Sequence, residues 1–80
     1  MIFLIEYNRQ AGRRVTFERF KDSERIKAER RRLELELDLN QKNIDHEVVL
    51  LEAASEKQLR RTHRRYFESA RDIASSVGNK

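Results

Sequence analysis

Hydrophobic positions fall in blocks along the chain, and their period changes from block to block. Residues 2–7 are apolar on both parities, with Phe3, Ile5 and Tyr7 on one side and Ile2 and Leu4 on the other. Such a run predicts a strand in the middle of a sheet. Asn8 to Arg13 then supplies a turn, with Gly12 free to take positive φ. Residues 14–20 alternate, Val15 and Phe17 against Arg14, Thr16 and Glu18, which predicts an edge strand closing a hairpin.

The next block carries two conflicting signals. Leu33, Leu35, Leu37 and Leu39 alternate with Glu34, Glu36 and Asp38, the period of a half-buried strand. Between Lys21 and Asn43, however, the only β-branched residue is Ile26, and good helix formers fill most of the rest. Residue identity therefore predicts a helix over 22–41, begun by Asp22 and ended by the Asn40 to Asn43 break, where Asn tolerates the left-handed conformation. At about 100° per residue, Ile26, Leu33 and Leu37 share one side while Ala28, Leu35 and Leu39 lie nearly opposite. A helix with two apolar stripes needs two neighbours.

Residues 44–53 read as a second buried strand, with Ile44, His46, Val48 and Leu50 on one parity and Val49, Leu51 and Ala53 on the other. Ser55-Glu56-Lys57-Gln58 fits a capping box and opens a helix over 55–77, along which Leu59, Tyr66, Ala70, Ile73 and Val77 recur at helical spacing. The order is ββαβα. A right-handed crossover through the first helix, with the doubly apolar first strand in the centre, gives an antiparallel three-stranded sheet of order 2-1-3. The expected architecture is one two-layer α+β domain over residues 1–80.

Composition sets limits on this domain. At 80 residues, a chain buries only about 60 to 65% of its unfolded surface, so one small core must hold it. With 38% hydrophobic and 40% charged residues, that core depends on patterning rather than on apolar content. The chain has no cysteine, which excludes disulfides and thiolate metal sites. Residues 1–9 lack a basic start and a full apolar run of roughly 7 to 15 residues, so they do not read as a signal peptide. No stretch approaches the ~20 apolar residues that cross a bilayer. The expectation is a soluble, cytoplasmic protein with no membrane partner.

Candidate chemistry is sparse. Asp45, His46 and Glu47 are adjacent, but on a strand neighbouring side chains point to opposite faces, so they cannot act together. Ser23 and Ser55 read as helix-start residues rather than nucleophiles, and two glycines cannot build a phosphate-cradling loop. The reading is a non-enzymatic protein with no catalytic residues, no metal site and no cofactor.

Charge is distributed unevenly. Residues 44–54 hold three acidic side chains and no basic ones, whereas 55–80 hold seven basic and three acidic, within a net charge of +4. Arg60, Arg61, Arg64 and Arg65 lie away from the apolar stripe of the last helix, as a solvated face kept soluble by pairs such as Arg64 with Glu68, or as a surface for phosphates. In the first helix Arg30, Arg31 and Arg32 precede Glu34, Glu36 and Asp38, the reverse of what the macrodipole favours. That run is either solvated or directed at an anionic or complementary partner.

Apolar surface exceeds the elements available to cover it. Helices on one sheet face would leave Ile2 and Leu4 exposed beside Val48 and Leu50, or else the alternate set, and a helix on each face would leave the first helix with a free stripe at Leu35 and Leu39. The expected function is therefore a small interaction module, a homodimer or a docking partner for another protein. A nucleic-acid-binding domain using the arginines of the last helix is the alternative, distinguishable because phosphate binding weakens steeply with salt while apolar association does not.

Overall fold

The computed structural model describes residues 1–68. Its elements are β1 (Ile2–Asn8), β2 (Arg13–Phe20), a 3-10 turn (Asp22–Glu24) leading into α1 (Arg25–Gln41), β3 (Glu47–Glu52), α2 (Glu56–Thr62) and a second 3-10 turn (Arg64–Tyr66). The protein is a small α+β fold of order ββαβα. Its strands form one antiparallel sheet in the order β2-β1-β3, as the patterning predicts.

β1 takes the centre because its side chains are apolar in both directions. Ile2 and Leu4 pack with Phe20, Ala28, Leu35 and Leu39 on the α1 side, where Val48 and Leu50 join them. Phe3, Ile5 and Tyr7 pack with Leu59 and Tyr66 on the other side, beside Phe17, Val49, Leu51 and Phe67. The two helices thus cover opposite faces, and the molecule has three layers rather than the expected two. A two-layer packing would leave the Phe3, Ile5 and Tyr7 face in water. β3 is an edge strand, so its Val48 to Leu51 side chains are half-buried instead of fully enclosed.

Turn chemistry sets the ends of these elements. The Asn8 side chain accepts the amides of Gln10 and Ala11 at 3.1 and 3.0 Å, and Gly12 turns back with φ 66°. α1 ends in a Schellman motif: Asn43 has φ 56°, its amide donates to Asn40, and the Ile44 amide donates to Leu39 at 2.9 Å. Ile44 therefore belongs to the helix cap, and β3 starts at Glu47 instead of residue 44. The helix expected over 22–41 begins as a 3-10 turn in which Glu24, not Asp22, receives the first amide, that of Lys21, at 2.8 Å.

Two further departures have local causes. Glu6 pairs with Thr16 but Tyr7 pairs with Arg14, so Val15 bulges out and strand parity reverses. Arg14 consequently joins Phe17 on the α2 face instead of sharing a side with Thr16 and Glu18. In α2 the Ser55 hydroxyl accepts the Gln58 amide at 3.1 Å as a cap, while the Gln58 side chain accepts from Ala54 at 2.7 Å rather than from Ser55. The helix expected over 55–77 stops at His63, with φ −128° and ψ 54°. On one continuous helix Tyr66 and Phe67 would point about 100° apart. The break lets both meet the sheet, Tyr66 edge-on to Tyr7 at 5.3 Å and Phe67 edge-on to Phe17 at 5.5 Å. The rest of that expected helix, 69–77, lies outside the described residues.

Three-layer packing makes Leu59 the seal of the second face. Leu59→Ala is expected to lower the unfolding free energy by about 2 to 5 kcal/mol, against roughly 0.5 kcal/mol or less for Val15→Ala. Urea denaturation of both variants checks this; similar small losses would show that α2 does not close the core.

Candidate interaction surface

α1 lies with Ala28, Leu35 and Leu39 against the sheet. Its opposite side presents Ile26, Leu33 and Leu37 at 73%, 56% and 54% exposure, and Ile44, 40% exposed, extends the apolar strip past the helix end. An open groove of about 410 Å³ runs between this side of α1 and β3, with Leu33, Leu37, Ile44 and Val48 along it and His46 at its rim. β3 has β1 as its one neighbour among the described residues, so its outer edge borders the same groove.

This placement corrects the expected association surface. Ile2, Leu4, Leu35 and Leu39 are buried, and Val48 and Leu50 are partly buried against them, so that set forms core rather than a docking face. The free stripe is the other one, through Ile26, Leu33 and Leu37. Periodicity reveals both stripes but not which of them meets the sheet, since at about 100° per residue Arg30 flanks one as closely as Arg32 flanks the other. The small Ala28 lets the opposite side approach the sheet.

The arginines of the last segment do not form one free face. Arg60 reaches Glu56 at 3.0 Å, Arg64 reaches Glu68 at 2.9 Å, and Arg65 reaches Glu47 at 2.6 Å while lying over the Tyr66 ring. Arg61 is the member of the group without an ion pair among the described residues. The Phe67 ring is contacted by Arg14 and Arg60, each guanidinium 4.7 Å from the ring centre. Burial, with Arg60 close by, shifts Arg14 below the usual arginine range. These guanidiniums already engage carboxylates and aromatic rings, which reduces what they offer a phosphate.

Glu6, the one charged residue within the otherwise apolar β1 run, is buried at 4% exposure. The Thr16 hydroxyl donates to its Oε1 at 2.7 Å and His46 Nδ1 stands 2.5 Å from Oε2. Strand alternation separates the acidic neighbours of His46 as expected: Glu47 turns to the opposite face and binds Arg65 and Tyr66. The signal for the Glu6 cluster was parity, since Glu6 continues the Ile2 and Leu4 side. Its partners depend on register, which the sequence does not display. Among the described residues no group of three His, Asp or Glu side chains is placed to hold a metal ion, and no helix is long and apolar enough to cross a membrane.

Compared with known proteins, the chain matches no protein family, and no curated protein or solved structure is significantly similar to it.

The Tyr66 phenol donates to Glu47 at 2.5 Å, and burial, then this bond, raises it above its ordinary value of 10.0. A folded-state value above the unfolded one stabilises the fold fully below about pH 10, and the contribution disappears as pH rises through the folded value. Stability should therefore fall more steeply above pH 10 in the wild type than in Tyr66→Phe. Unfolding curves at stepped alkaline pH check it, and parallel slopes would contradict the assignment.

Proposed function

We propose that the protein is a non-enzymatic interaction module that self-associates through the outer face of α1. The observation that carries this reading is the exposed Ile26, Leu33, Leu37 and Ile44 strip, laid along a helix whose other side is already committed to the core. Large aliphatic side chains in a contiguous row are uncommon on a monomer's surface and mark contact sites. Covering eight of them from two copies, each already part-buried, is worth on the order of 8 to 12 kcal/mol gross, comparable to estimated association costs of about 4 to 15 kcal/mol. A modest, concentration-dependent dimer follows. A two-fold arrangement is the commonest way to use one repeated patch.

Phosphate recognition by Arg60, Arg61, Arg64 and Arg65 is the weaker reading, because three of the four are paired with carboxylates. Replacing all four should leave self-association intact, and nucleic acid should bind at physiological salt no tighter than the micromolar range of non-specific contacts.

Sedimentation over a wide concentration range, at moderate and high salt, is the test. The wild type should shift from monomer to dimer. The double variant Leu33→Lys with Leu37→Lys should remain a folded monomer, while Leu35→Lys with Leu39→Lys should unfold the chain. A wild type monomeric at every concentration would refute the proposal.

A further inference from the structure

Resting on that reading, we propose that the partner of α1 is the α1 of a second copy lying antiparallel to it, about a two-fold axis close to Arg31 and Arg32. The outward residues Ile26, Arg30, Leu33, Leu37 and Asn40 advance by four, three, four and three positions. This is the spacing of a helix-to-helix seam, in which side chains three and four apart face one neighbour. The seam is apolar except at Arg30 and Asn40, the kind of polar interruption that selects one register over others.

Charge fixes the sense of the pairing. From 25 to 32, Arg25, Lys27, Arg30, Arg31 and Arg32 oppose only Glu29, a net of +4; from 33 to 41, Glu34, Glu36 and Asp38 stand alone, a net of −3. This order runs against the helix macrodipole, which favours acid at the start and base at the end. Within the chain Arg25, Lys27, Arg31 and Arg32 reach Glu52, Glu24, Glu18 and Glu36, while Glu34 meets Arg31 and Asp38 meets Lys42; these are solvent-exposed pairs, each worth little, that a neighbouring helix can replace. Arg30 sits in the seam and has no ion pair among the described residues. A parallel neighbour would set like charges side by side. An antiparallel one lays each basic half along an acidic half, with Ile26 facing the second copy's Leu37, and Lys27 and Arg30 alongside its Glu34 and Glu36. It also opposes the two helix dipoles favourably.

The absence of cysteine makes disulfide trapping a clean readout. Ile26→Cys and Leu37→Cys are each placed at exposed sites, so neither should disturb the fold. Oxidised alone, each variant should stay largely uncross-linked; mixed, the two variants should form a disulfide-linked heterodimer. Wild-type dimerisation should weaken with added salt, and Glu34→Lys with Glu36→Lys should raise the dissociation constant about tenfold at low salt, from several marginal ion pairs per dimer. Efficient Ile26→Cys self-cross-linking, or a dimer that tightens with salt, would overturn the antiparallel arrangement and leave self-association standing. A monomer at all concentrations, or a dimer indifferent to Leu33→Lys with Leu37→Lys, would overturn both.

Discussion

The whole molecule answers one constraint: β1 carries apolar side chains on both faces, and both must be kept from water. A strand of that kind cannot lie at an edge or under a single layer. It draws β2 and β3 to its sides and a helix to each face, and the assignments follow from parity. Ile2 and Leu4 go to α1, while Phe3, Ile5 and Tyr7 go to α2 and the aromatic turn after it. Among the described residues, α1 meets the sheet through Ala28, Leu35 and Leu39 and leaves Ile26, Leu33 and Leu37 exposed on its other side.

What could be read in advance was whatever depended on residue type and period over several positions. The strand order came from the two-sided β1 pattern. The helical state of Leu33 to Leu39 came from the scarcity of β-branched residues, which outweighed four alternating leucines. Gly12 and the Asn40 to Asn43 break hold the left-handed positions found among the described residues, Gly12 and Asn43. Single-residue events were not legible: the Val15 bulge needs only one extra residue in a strand and leaves no compositional trace, and it moved Arg14 to the opposite face. The stop at His63 reflects the pull of Tyr66 and Phe67 toward Tyr7 and Phe17, contacts distant in sequence. Which stripe of α1 would face outward was not legible, because an arginine flanks each of them, Arg30 one and Arg32 the other, at the same angle.

Polar groups finish what the apolar pattern begins. Glu6 is tied to Thr16 on one side and His46 on the other, so the α1 face closes over a carboxylate whose bonds are satisfied. On the other face Tyr66 and Arg65 meet at Glu47. Each cluster joins segments far apart in sequence, which links the hairpin, β3 and the final turn into one cooperative unit. Among the described residues no buried side-chain nitrogen or oxygen lacks a hydrogen-bond partner.

The bulge at Val15 has a consequence for the sheet as a whole. A three-stranded sheet has two open rims, and a flat, regular rim is a template on which further copies can add strand upon strand into a fibre. An extra residue in β2 coils its ladder and breaks the even spacing of donors and acceptors that such growth requires. Arg13, Arg14 and Arg19 along the same strand would also crowd like charges at every added copy. Strand-upon-strand growth from that rim is thereby obstructed.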